Sequence, residues 1–437
     1  MFQTIKNAWK TLELRNKLLF TFIILVLYRL GASIPVPYVT GHIFDGLTGT
    51  ILDYLNTFSG GALSQATLFA LGVSPYITSS IVIQLLTVAI PALQKWSQDG
   101  DEGRKKINAL TRVVTLALAI LTAVGYVSLL NSYGALAEST VGDWFRTIVM
   151  VACYCAGAML VMWLAEKIND KGIGNGISMI LFANIIAGFS SQASAIWNMV
   201  FSKGGFKGFN WLGLVFAVVI IIAIAAFVVL IVRVTDAERR IPIQYAKRVV
   251  GRKMYGGQST NLPIKVNMTG VMPIIFANSI VAIPATIASF TASDGWLANF
   301  VNNWFNYNKW PYLVVFFVLL IAFAYFYIAI SFNPIEVANN IKNNGGAVPG
   351  IRSGRPTVEY ITKILYRITL VGALFVAVIA VVPMLAVVIE SAIGKSNYFT
   401  AVAFGGSSLM IVVGVALETV RELESQLTLR NYKGFLD

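Results

Sequence analysis

The sequence predicts an all-α polytopic membrane protein, and three observations carry that reading. First, 57% of the 437 residues are hydrophobic and only 12% charged, with a mean hydropathy of +0.73; a soluble domain is about 25% charged. Second, ten apolar stretches can be drawn, roughly at 18–37, 73–91, 109–130, 145–165, 177–194, 211–232, 270–290, 311–332, 368–389 and 400–419. Each is close to the roughly 20 apolar residues that a spanning helix needs. Third, the basic residues alternate. Of the 33 Lys and Arg, only Arg146, Lys203, Lys207, Lys309 and Lys395 fall in one set of connections, and Arg29 lies inside the first stretch. All the others lie in the opposite set or at the two ends, so both termini are expected on the cytoplasmic side.

The start, MFQTIKNAWKTLELRNKLLF, is basic and then apolar. No small-residue cleavage site closes a short apolar core, so it reads as a retained first span and not a signal peptide. The stretch Asn56–Ile90 is too long and too broken for one span. Ser59, Gly60, Gly61, Ser64 and Gln65 make its first third polar, and Gly72 and Pro75 interrupt it before a cleaner apolar run from Ile77. It predicts a short amphipathic half-helix, a break, and then a true span. Irregular backbone at membrane depth needs protein or a water-filled cavity around it, so this piece should face the bundle interior. The competing reading is a surface loop followed by an ordinary helix. Ten spans divide into five and five; an odd number per half sets the halves in opposite orientation, an inverted repeat by topology.

Two connections, Arg233–Asn267 and Asn333–Arg367, are long and basic. The first contains the alternating run RRIPIQYA and the pair Gly256–Gly257, readable as a hairpin. The second, NNIKNNGGAVPGIRSGRP, has a loop tip surrounded by Lys342, Arg352 and Arg355. These charges either fix topology and touch lipid head groups or form a docking surface for an acidic or RNA-bearing partner; loops of this length exceed what topology requires.

Several chemistries find no residues. His42 is the only histidine and cannot build a metal site; Cys153 and Cys155 sit in an apolar run as small hydrophobes. Gly394-Lys395-Ser396 lacks the first glycine of a P-loop, and Gly172-x-Gly174-x-Gly176 follows no strand, so both read as turns. Glu166, Glu336, Glu390 and Glu418 all lie at span ends, whereas ion-coupled transporters need buried acids or ion sites. A secondary transporter of a small solute has the right span count without coupling residues, and a membrane enzyme lacks a catalytic set. A passive conduit closed by an apolar constriction and driven by an outside motor fits best.

The segments IPVPY, NTFSGGALSQATLFALGVSPYI, GIGNGIS, YAKR, QSTNLPIKVN, FNP and VPGIR, in this order along the whole chain, resemble the SecY family of bacterial protein-translocon channels. The resemblance implies an hourglass pore between two inverted five-helix halves, residues 1–194 and 195–437. It implies a plug helix at about 58–67, comprising Phe58, Ser59, Gly60, Gly61, Ala62, Leu63, Ser64, Gln65, Ala66 and Thr67. An apolar ring at the waist would be formed by Val73, Ile77, Ile177, Leu181, Ile275 and Ile411, with Val73 and Leu181 at places where isoleucine is also common. The loops at about 233–267 and 333–367 would bind the ATPase SecA or the ribosome. Arg352 matches a critical loop arginine, Lys247 and Arg248 lie in the YAKR docking segment, and Arg239, Arg240 and Arg355 stand in the same two loops. A lateral gate would separate spans 2 and 3 from spans 7 and 8. The implied partners are the small subunits SecE and SecG, an unfolded preprotein with its signal sequence, and membrane lipids, with no nucleic acid beyond ribosomal RNA. No cofactor, metal or catalytic residue is expected, and the implied location is the bacterial plasma membrane. Glycines 60, 61 and 72 are candidate hinges for the plug.

Overall fold

The structure is a computed structural model and describes residues 2–40, 56, 59–132, 134–137, 142–201, 210–245, 248–250, 253–255, 259–289, 300–301, 303–304, 309–393 and 405–433. Helices dominate it: α1 (Phe2–Lys10), α2 (Leu12–Gly31), α3 (Ser74–Ala89), α4 (Pro91–Gln98), α5 (Gly100–Ser132), α6 (Asp143–Lys171), α7 (Gly176–Val200), α8 (Trp211–Asp236), α9 (Met272–Ser289), α10 (Trp310–Ser331), α11 (Pro334–Asn343), α12 (Arg355–Ile393) and α13 (Gly405–Lys433). Each of the ten stretches drawn from sequence overlaps one of these helices. Among the described residues five helices are long and apolar enough to cross a membrane, six if α3 and α4 count as one broken span bent by 102°. The bend falls at Pro91, whose ring cannot continue the preceding helix. Over their described side chains α7 and α9 are apolar as well, at Gly176–Ser190 and Met272–Pro284.

Boundaries moved for identifiable reasons. The helix of the first drawn stretch, α2, stops at Gly31 and not near residue 37, because Pro35 and Pro37 exclude helix beyond it. The last helix runs on to Lys433, well past the apolar stretch. There α1 packs on α13, Ala8 and Leu423 sharing an apolar cluster with Leu14 of α2, and Thr4 Oγ1 donates to Glu424 Oε1 at 3.0 Å. The main core joins α2, α3, α6, α7, α9, α10, α12 and α13 around Tyr28, Ile77, Leu181, Ile275, Phe316 and Ile411.

The half-helix expected over residues 58–67 is not what forms. Ser59 is helical, but the chain from Gly60 to Val73 is a succession of turns. Gly60, Gly61 and Gly72 lie at φ +66°, +88° and +55°, and Ala66 at +44°, all in the left-handed region where a right-handed helix cannot continue. Side chains supply the turn's hydrogen bonds instead: Leu63 N donates to Ser59 Oγ (3.0 Å) and Ser64 N to Asn56 Oδ1 (2.9 Å). Phe58 lies outside the described residues. The true span then begins, as the break predicts, at Ser74 with Pro75 in its first turn.

The two long loops carry the only strands among the described residues: β1 (Glu238–Tyr245), β2 (Arg248–Val250), β3 (Lys253–Tyr255), β4 (Ser259–Lys265) and β5 (Gly346–Ala347). β1 pairs antiparallel with β4, Ile241 opposite Leu262. The inner pair β2–β3 closes between Val250 and Lys253, upstream of Gly256–Gly257, which lie outside the described residues. β5 belongs to the second loop, yet pairs with the same β1 strand through Gln244↔Ala347 and Tyr245↔Gly346. Gly346 is needed there, because a Cβ would stand 3.0–3.1 Å from Tyr245, Ile243 and Ile341. Small apolar cores beneath the sheet, around Ile241, Ile264 and Leu365 and around Ile243, Ala338 and Ile361, join the loops into one body.

Candidate functional site

Four helices bring the six predicted ring residues together. Val73 caps α3 and Ile77 follows one turn later; Ile177 and Leu181 are one turn apart on α7; Ile275 and Ile411 come from α9 and α13. Val73, Ile77, Leu181, Ile275 and Ile411 are buried in one cluster, and the half-buried Ile177 packs against it. α7 is started by Asn175, whose Oδ1 accepts from the N–H groups of Ile177 and Ser178. That cap fixes the turn carrying Ile177. The six side chains themselves are all aliphatic and can form no directional bonds.

A cavity of about 630 Å³ lies between the start of α7, the ends of α8 and β4, and α13. Ser178, Thr235, Lys265, Asn267, Glu418 and Arg421 are among the residues lining it. Ser178 Oγ, Thr235 Oγ1 and Asn267 Nδ2 are buried with no hydrogen-bond partner among the described residues. Burial, and secondarily the nearby Arg421, pulls the Lys265 ammonium below its ordinary pKa. The Arg421 guanidinium is held by Asp236 Oδ1 (2.5 Å) and the Thr235 carbonyl (2.9 Å). Sequence reasoning missed this cavity because its lining comes from α7, α8, the β4–α9 connection and α13, with no local motif.

The turn segment before α3 packs into the same core as the ring residues through Ala62 and Phe69. Its backbone is fastened from several helices. The Tyr126 hydroxyl of α5 donates to the Leu63 carbonyl (2.5 Å) and that of Tyr154 on α6 to the Ala66 carbonyl (3.4 Å). Val36 N donates to Ala66 O and Leu68 N to Ile34 O. Arg29, noted in the sequence only as a lone charge in an apolar run, donates through Nη1 to the Gly60 carbonyl (3.3 Å) and to Asn184 Oδ1 (3.4 Å). Ser59, Ala62, Leu63, Ala66 and Thr67 are buried, while Gly60, Gly61 and Ser64 are half-buried and Gln65 is exposed.

The docking candidates divide. Arg239, Arg240, Arg352 and Arg355 are exposed on the joined loop body. Arg240 faces Glu238 at 4.0 Å, and Arg355 Nε bonds Glu359 Oε1 at 3.2 Å. Arg352 stands between Gly350 (φ +81°) and Gly354 (φ +110°), and its carbonyl accepts from Thr357 Oγ1. Lys247 lies outside the described residues, and of Arg248 only its place in β2 is described. Among the described residues no cluster of His, Cys, Asp or Glu suits a metal ion. Cys155 is buried and Cys153 half-buried, both unpaired on α6.

Apolar helices long enough to span a bilayer, packed around one buried core with an irregular turn segment fastened against it, define a helical membrane protein. The SecY family's sequence pattern matches residues 67–420. The protein translocase subunit SecY of Streptomyces coelicolor is 46% identical over 450 residues, and that of Halalkalibacterium halodurans 41% over 441, each alignment spanning all of both chains. A solved protein-conducting channel superposes with a TM-score of 0.63 at 17% identity, covering 94% of this chain and 92% of that one. Sec61 from the canine ribosome–channel complex gives 0.59 at 16%, covering 94% and 92%. The chain belongs to the SecY family: it is a protein-conducting channel, a non-enzymatic translocase subunit and not a transporter of small solutes.

Proposed function

We propose that Val73, Ile77, Ile177, Leu181, Ile275 and Ile411 form the waist seal through which an unfolded secretory chain passes. The observation that carries this is that these six aliphatic side chains come from four helices into one core, with a cavity lined by the neighbouring Ser178 and Val415. Aliphatic side chains part around any sequence without preference and close again without broken bonds; a carboxylate ring would instead select ions. The halves are residues 1–194 and 195–437, inverted about this waist. The segment 58–67 is the plug, and a side opening lies where α9 meets α3 and α5. Through it an apolar signal sequence or transmembrane segment partitions into lipid.

The basic bias of one set of loops supports a bacterial plasma-membrane location with both termini cytoplasmic. The exposed arginines of the joined loop body, with Lys247 and Arg248, are the docking surface for SecA or for ribosomal RNA at the exit of a ribosome; SecE and SecG complete the complex. The test is crosslinking of a stalled secretory chain to photoreactive groups at positions 77, 181, 275 and 411. Adducts at these positions and not at lipid-facing Val219 are expected. Adducts absent from all four would move the path elsewhere.

A further inference from the structure

The charge of Arg29 is out of place for a span: it sits in the last turn of α2, half-buried, and makes no ion pair among the described residues. A cation there suits the helix dipole, but the side chain turns inward. Nη1 reaches the Gly60 carbonyl and Asn184 Oδ1 together. Asn184, fully buried on α7, is fixed in turn by donating Nδ2 to the Tyr28 hydroxyl at 2.9 Å. The approach is close: a Cβ at Gly60 would stand 2.4 Å from Arg29 Nη1 and 2.9 Å from Asn184 Oδ1, and its φ of +66° lies in the left-handed region that favours glycine. Arg29 thus bridges α2, α7 and the backbone of the turn segment at Gly60, a different point of that segment from the tyrosine anchors at Leu63 and Ala66.

We infer that Arg29 and Asn184 form a latch that holds the Gly60 end of the plug closed, so that the strength of this contact sets how apolar a signal sequence must be to open the channel. The inference rests on reading residues 58–67 as a plug. A closed state stabilised by a hydrogen-bonded charge must lose that contact on opening, and a ligand shifts such an equilibrium only by its differential affinity for the two states. A weaker latch therefore lowers the apolar free energy demanded of the signal sequence. The remaining anchors through Leu63 and Ala66 are untouched, so the segment pivots and does not detach.

The experiment compares Arg29→Met, Asn184→Ala and deletion of residues 58–67, singly and combined, in the assembled channel complex, normalised to channel content. Resting ion conductance in planar bilayers is read beside export of a precursor whose signal sequence has a shortened apolar core. Arg29→Met is expected to raise the resting open fraction about tenfold, which corresponds to about 1.4 kcal/mol. It should also admit the weakened signal, with Asn184→Ala acting in the same direction. In the deletion background Arg29→Met should add nothing, because the contact is already gone; independent structural damage would add. A silent Arg29→Met beside a leaky deletion overturns the latch and leaves the plug standing, as do additive effects. A silent deletion overturns the plug reading and the latch with it. If Arg29→Met does not accumulate, Asn184→Ala alone decides, and wild-type conductance in it overturns the inference.

Discussion

Ile77, Ile177 and Ile275 come from α3, α7 and α9 and share one core, so the seal proposed for them would be a sum of contacts that no single helix owns. A buried aliphatic side chain contributes about 1.5–3 kcal/mol by leaving water, and the same apolar surface makes a narrow passage hostile to ions. Replacing all three by Ser should raise the resting conductance of the closed channel severalfold. Truncation of a buried Ile costs about 2–5 kcal/mol where the site cannot collapse. Conductance must therefore be divided by folded channel content before comparison. Conductance at the wild-type baseline in a normally assembled triple variant would place the constriction elsewhere. Arg29 shows the limit of residue-level reading. A lone charge in an apolar run is visible in the sequence, but its two acceptors lie 31 and 155 residues away and only the fold brings them to it.

At the scale of elements, the segment before α3 separates what local chemistry dictates from what it does not. Gly72 and Pro75 mark the start of the span at Ser74, because they act on the backbone at their own positions. The half-helix upstream fails on the same kind of evidence weighed differently: Gly60 and Gly61 take positive φ, and Ser59 and Asn56 side chains complete the turns. Deleting residues 58–67 should leave a foldable channel that flickers open and accepts weaker signal sequences, read as brief conductance events in bilayers. The tyrosine bonds to Leu63 and Ala66 would be lost with it. If the deleted protein fails to accumulate, the segment is core and not a stopper. The ten helix positions were legible because each rests on a long apolar run. The sheet was legible only in part. RRIPIQYA alternates and forms β1, but its second partner is the two-residue β5, about 100 residues on in the other loop. Nothing in a two-residue Gly-Ala run signals a strand; the pairing comes from tertiary approach. The polar cavity was illegible for a similar reason, since Ser178, Thr235, Asn267 and Glu418 share no spacing.

The whole molecule couples these parts through contacts between elements distant in sequence: α1 on α13, α9 against α3 and α5, and the β4–β1–β5 sheet that ties both long loops together. Because the sheet joins the loops, a partner that grips one of them also pulls on α9 and α12, which follow β4 and β5 directly. Arg352 is the side chain best placed to be gripped. Arg355 is engaged with Glu359, whereas the Arg352 side chain is exposed and in no ion pair among the described residues. Its backbone is nevertheless held, by the buried Thr357 and by the two glycine turns on either side. A fixed base under a free guanidinium is preorganised for a carboxylate or phosphate, which the planar fork binds in two places at once. Lys363 and Arg367, further along α12, suffice for the topology signal. Arg352→Glu should therefore stop motor-driven export while leaving helix orientation and complex assembly intact. Loss of one desolvated charge contact is worth about 2–5 kcal/mol, roughly a 30- to 5000-fold fall in affinity. The measurement is precursor-stimulated ATP hydrolysis by SecA on vesicles of normal channel content, and unchanged turnover in the charge-reversed protein would return Arg352 to the topology signal.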